Sequence, residues 1–106
     1  MISLEDFSKL ELRVAVVETA EHHPNADRLY VLGVRVGEER KKIVAGVRKF
    51  YGVDELIGKK VVIVNNLAPA VIRGVESQGM LLAASDDQTL TLVTPERPIS
   101  ENARVK

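Results

Sequence analysis

The chain has 106 residues, 45% of them apolar, and its fifteen Lys and Arg balance its fifteen Asp and Glu. Residues 1–106 read as one domain with a single core, since a chain this long buries roughly 60–70% of the surface its unfolded form exposes. Zero cysteines exclude a disulfide scaffold and a Cys-ligated zinc site, and zero net charge argues against an indiscriminately basic nucleic-acid binder.

The first predicted element is a short helix. Ser3 is a good N-cap with Asp6 three residues on, and Leu4, Phe7 and Leu10 recur at helical spacing, so the helix is expected to lie as a lid on the core. A long strand follows, with Leu12, Val14 and Val16 alternating with Arg13, Ala15 and Val17. It ends at His22-His23-Pro24-Asn25-Ala26-Asp27, a loop in which Asn25 and Asp27 are expected to bond their own backbone. Residues 28–36 form the next strand, with Tyr30, Leu32, Val34 and Val36 on one face. Gly37 to Arg40 turns the chain, and residues 41–47 return as a third strand, which places Arg40, Lys41 and Lys42 at the tip of a hairpin. Asp54 to Gly58 reads as one helical turn stopped by glycine, and Lys60 to Val64 as a buried, β-branched strand. Leu67 to Val75 is a strand demoted to an edge by Pro69. Residues 79–84 and 89–94 supply the last strands, and the tail after Pro95 has no periodicity. About five principal strands with a helix between the third and fourth predict an all-β fold: a five-stranded OB-fold barrel with short helices and a C-terminal extension, ahead of an Ig-like sandwich. The acidic N-terminus and short apolar runs fit neither a signal peptide nor a membrane span, so a cytoplasmic location and no membrane partner are expected.

The overall neutrality is uneven. Residues 1–27 set six acids against Lys9 and Arg13, residues 28–73 carry ten basic side chains against four acids, and residues 74–106 hold three basic residues and five acids. The blocks are therefore −4, +6 and −2, a basic middle in an acidic frame that hints at a polyanion partner. No catalytic arrangement stands out. Glu76-Ser77-Gln78-Gly79 is not a nucleophile elbow, no phosphate-binding glycine loop occurs, and the adjacent His22 and His23 have diverging rings, so no metal or cofactor is implied and the chain reads as a non-enzyme. With Tyr30, Phe50, Tyr51 and Phe7 as the aromatic residues, stacking on a run of bases is disfavoured against recognition of a folded RNA's shape and backbone.

Several ordered segments carry a family signature: Phe7 to Val14, His23-Pro24-Asn25-Ala26-Asp27-Arg28-Leu29, Ile43 to Val47, Glu55 to Lys59, Asn66-Leu67, Arg73-Gly74 and Ser77-Gln78-Gly79-Met80-Leu81-Leu82-Ala83-Ala84. Together they resemble the tRNA-binding domain found at the C-terminus of methionyl-tRNA synthetases and in free-standing homodimeric relatives. The resemblance implies a non-catalytic OB-fold that binds tRNA, assists a methionyl-tRNA synthetase and forms a homodimer through segments outside the barrel, including the C-terminal part. It carries over Asn66, Arg73, Ser77 and Met80 as RNA-binding positions, to which the charge argument adds Arg35, Lys41 and Lys42. Where the family writes two further basic residues before its Arg-Gly, this chain has Ala68 and Val71, which lowers the expected affinity. Two other readings stand beside the first: a dimeric, chaperone-like interaction module of the same fold that binds polypeptide, and a purely structural dimerisation subunit.

Overall fold

A computed structural model describes all of residues 1–106. The capping box at its start forms as expected: Ser3 Oγ accepts the Asp6 N–H at 3.0 Å, the Asp6 carboxylate faces the Ser3 N–H, and α1 runs over Leu4–Ser8. The helix is not a lid on the main core, however. None of its residues is buried, and only Phe7 packs inward, against a small second cluster of Leu12, Val62 and Val64.

Strand β1, Leu12–His22, organises the sheet by pairing along both of its edges, with a bulge between Val17 and Thr19 in its ladder to the next strand. Its first half pairs with β4, Lys60–Val64, from Leu12↔Val64 to Val16↔Lys60. Its second half pairs with β2, Tyr30–Val36, ending at His22↔Tyr30. Ala15, Val17, Val61 and Ile63 point into the main core, whereas Leu12, Val14, Val62 and Val64 are buried on the reverse face. Two buried faces explain why Val14 to Val17 and Val61 to Val64 are apolar without interruption.

Tyr30, Leu32, Val34 and Val36 share the inner face of β2, as their alternation predicts. Its partner β3, Glu39–Ala45, begins earlier than expected: Val36↔Glu39 leaves only Gly37-Glu38 as the turn. Lys41 and Lys42 therefore lie opposite Val34 and Gly33, partway along the hairpin and not at its tip. The helical turn α2, Val53–Leu56, buries Leu56 completely in the barrel and ends one residue before Ile57, which is already extended.

The predicted edge strand at Leu67–Val75 is instead a hairpin of β5, Ala70–Ile72, and β6, Val75–Ser77. It reverses at Arg73 and Gly74, which adopt φ of 53° and 90°, the left-handed pair that a two-residue turn of this kind demands and that glycine meets without strain. β7, Met80–Leu81, pairs with β4, and β8, Ala83–Ser85, pairs with β9, Leu90–Leu92. The Asp86 carboxylate closes the latter turn by accepting the Gln88 and Thr89 N–H groups, both at 2.8 Å, which hold it below the usual carboxylate range. The aperiodic tail ends in β10, Arg104–Val105, which adds to the start of β1 and was not visible in the pattern.

The main sheet runs β3-β2-β1-β4-β7, with β10 on β1, and curls around the core. The fold is all-β and OB-like, with five strands in that path as expected. Ser77-Gln78-Gly79 brings β3 toward β7: Gln78 N–H donates to Lys42 O at 2.8 Å, its Oε1 accepts the Lys42 N–H at 2.8 Å, and Ser77 Oγ accepts the Val44 N–H at 3.0 Å. A Cβ on Gly79 would lie 3.0 Å from Val64 O and 3.4 Å from Ile43, so this crossing needs a residue without a side chain.

Candidate nucleic-acid interface

Residues 23–29 join β1 to β2 and meet the tip of the β5–β6 hairpin. His23 is buried, its Nδ1 accepts the Asn25 N–H at 2.9 Å, and its other nitrogen, Nε2, lies 2.9 Å from Ile72 O. With Nδ1 an acceptor and a carbonyl facing Nε2, the ring is the neutral tautomer that donates from Nε2. Asn25 does not close its own turn as expected. Its Nδ2 donates to Arg73 O at 3.0 Å, and the Arg73 guanidinium returns a bond to Asn25 O at 3.3 Å. The bonds are reciprocal and tie together the two loops with which OB-folds grip oligomeric ligands. His-Pro-Asn thus acts as a latch that positions Arg73.

The outward face of β1, β2 and β3 forms an open groove of about 440 Å³, lined by Thr19, Glu21, Val31, Gly33, Arg40, Lys41, Lys42 and Gln78. Lys42 is exposed and makes no ion pair, while its backbone is gripped on both sides by Gln78. Lys41 extends the other way, and its ammonium donates to Asn65 O at 2.7 Å. Arg35 shares the outward face but is held between two carboxylates, Glu18 at 2.7 Å and Glu101 at 2.9 Å, and Glu18 also accepts from Arg40 at 2.9 Å. The Glu101 carboxylate raises the Arg35 guanidinium above its ordinary value, while the Arg40 hydrogen bond, followed by Arg35, holds Glu18 below the usual carboxylate range.

The other predicted positions lie apart from one another. Asn66 fastens the α1–β1 connection, accepting the Glu11 N–H at 2.8 Å and donating to Lys9 O at 2.8 Å. Ser77 is buried, and its hydroxyl also donates to Gly79 O at 3.0 Å. Met80 is exposed at the rim of an apolar groove formed by Val44, Val47, Leu81, Leu82 and Leu90. The structure therefore brings Lys41, Lys42 and Ser77 together around β3 and places Arg73 on the latch, while Arg35 and Asn66 are engaged elsewhere. Gln78, a groove residue, is not legible in the sequence, because a lone glutamine carries no periodic or charge signal. Val71 of β5 and Ala68 in the loop before it, the positions at which the resemblance expects cations, are both exposed.

Three comparisons bear on this geometry. Residues 12–104 match the family described as a tRNA binding domain. The chain is 48% identical over 105 residues to a methionine–tRNA ligase of Thermococcus kodakarensis, covering 99% of this chain and 14% of that protein, and 44% identical over 106 residues to the enzyme of Nanoarchaeum equitans, again covering 14% of it. It thus spans about a seventh of the length of these relatives. Among solved structures, a MetRS related protein from Pyrococcus horikoshii superposes with a TM-score of 0.92 at 34% identity, covering 100% of this chain and 98% of that one. The chaperone CsaA of Bacillus anthracis superposes at 0.89 with 28% identity, covering 100% and 99%.

Proposed function

The chain belongs to the tRNA binding domain family, and from that premise we propose that it is a non-catalytic module that binds tRNA by shape and backbone in support of a methionyl-tRNA synthetase. The observation that carries this reading is the latch. It fixes Arg73 at the hairpin tip, and in the groove on β1, β2 and β3 Lys42 stands without an ion-pair partner, so the fold presents two cations on fixed backbone. Lys42 and Arg73 are the phosphate contacts of the proposal, with Lys41 as a nearby reserve of charge. Arg35, Asn66 and Ser77 act by holding the frame, and Met80 borders it.

Titration with tRNA at increasing salt tests this. Affinity should fall steeply with salt, and reversing either cation, Lys42→Glu or Arg73→Glu, should reduce the slope by about 0.9 or more per lost phosphate contact. Undetectable binding at low salt, or slopes unchanged by both reversals, would sink the reading. A polypeptide-binding module is the second reading, favoured by the apolar groove beside Met80 and the likeness to CsaA. Suppression of client aggregation by a protein that binds no tRNA would put it first.

We further propose a homodimer and a cytoplasmic place among translation components. Leu4 and Leu10 of the α1 region are 84% and 40% exposed and flank an apolar depression shared with Phe7 and Val105, outside the barrel. A second copy would cover this surface and double the phosphate-contacting face through avidity. Light scattering should give about twice the monomer mass for the wild type and the monomer mass for Leu4→Glu, and a monomeric wild type at micromolar concentration would remove the dimer.

A further inference from the structure

The last pair of the β1–β2 ladder sets His22 opposite Tyr30. Their rings stack, with centroids 5.8 Å apart and planes 21° from parallel, within the range of offset aromatic pairs. Tyr30 is buried and pinned by its hydroxyl, which donates to Tyr51 O at 2.7 Å. Arg48 lies 6.0 Å from the same tyrosine ring and its Nη2 is 3.1 Å from His22 Nδ1. A guanidinium can only donate, so Nδ1 is the acceptor and His22 carries its proton on Nε2. Tyrosine is thus the floor, and imidazole and guanidinium form a hydrogen-bonded tier above it. His22 itself is exposed, and it is the immediate neighbour of the latch residue His23.

An exposed ring usually samples several rotamers, and ordering it costs binding energy. Here the ring is ordered beforehand by stacking on one side and by the guanidinium at its edge. The tier also covers the Tyr30 ring, yet His22 itself stays exposed, so its imidazole remains open to a ligand. We propose that His22, held by Tyr30 and Arg48, is a stacking platform for a single unpaired RNA base. The inference rests on the tRNA reading above and adds to it a preference: the ligand must bring a looped-out, bulged or terminal nucleotide to the barrel mouth while its phosphates meet Lys42 and Arg73. A continuous duplex has no free base face to offer. One platform matches the paucity of aromatic residues, which disfavours a tract of bases and permits one.

Two synthetic RNAs distinguish the parts: a stem-loop with 2-aminopurine at an unpaired loop position, and a blunt duplex of the same stem. Binding of the wild type should quench the loop fluorophore. His22→Ala should lose about five- to a hundredfold in affinity for the stem-loop, as expected for one base–aromatic contact, and stay within about twofold on the duplex. His22→Trp should restore both affinity and quenching, which a purely structural histidine would not predict, whereas Arg73→Glu should weaken both RNAs alike. Unquenched 2-aminopurine, or equal losses on the two RNAs for His22→Ala, overturns the platform while leaving the tRNA reading intact. A wild type that binds tRNA and both RNAs undetectably overturns that reading and the platform with it.

Discussion

The Ser77 hydroxyl sits where the β3 backbone would otherwise lack a partner. It accepts from Val44 and donates to Gly79 O, each at 3.0 Å, in a buried setting where neither group can turn to water. Ser77→Ala would leave a buried N–H and a carbonyl short of a partner, at a cost of about 1–3 kcal/mol. Chemical denaturation should show the transition midpoint falling with the slope unchanged, and tRNA affinity measured well below the transition should stay within about twofold. A loss of affinity at unchanged stability would place the hydroxyl against RNA instead. Asn66 is occupied in the same way, with both ends of its amide bonded to main chain near α1. Residue type alone does not separate such positions from true contacts. Lys42 differs in that its side chain is uncommitted while its backbone is held.

At the level of elements, legibility followed the number of buried faces. The alternation in β2 stated its inner face outright, because only that face is buried. The positions of β1 and β4 are legible in the sequence, but their uninterrupted apolar runs hide which side meets the core, since a reverse face is buried beneath α1 and the C-terminal segment. The β5–β6 hairpin carries the sequence pattern of one strand. Its turn is set by a left-handed pair at Arg73-Gly74, and the apolar residues on either side continued the strand pattern across it. β10 was invisible because two residues cannot show a period, and its place is set by the partner strand, with Val14 N–H donating to Ala103 O at 2.9 Å and Asn102 N–H to Val14 O at 2.7 Å. The candidate site divided similarly. Charge and motif marked Lys42 and Arg73, but the long-range bonds that join residues 23–25 to 72–73 exist only once the barrel has closed. Local chemistry pointed Asn25 at its own turn, and tertiary structure gave it a partner 48 positions away.

Over the whole molecule, the three charge blocks fold so that the acidic ends neutralise one side of the basic middle. Glu18 from the first block and Glu101 from the last both take Arg35 and Glu18 also takes Arg40, while Glu11 pairs with Arg13 inside the first block. Lys42 and Arg73 stay outside these pairs, so their charges are not cancelled by a direct ion pair. The same network predicts how stability depends on pH. Hydrogen bonding from Arg40 lowers the Glu18 value in the folded state, and hydrogen bonding first from Asn65 and then from Arg13 lowers that of Glu11, while Arg35 is raised and stays charged throughout. A carboxylate with a depressed folded value stabilises the protein above its unfolded value, about 4.3, and that contribution is lost as pH falls through the folded one. The thermal midpoint should therefore be flat near neutrality and fall below about pH 4.3. Glu18→Gln should begin lower at neutral pH and decline less steeply, its curve approaching the wild type's in acid. High salt should narrow the neutral-pH gap, because these side chains remain partly open to solvent. Parallel curves across the acid range would show instead that the Glu18 charge does no work in holding Arg35 and the C-terminal segment to the barrel.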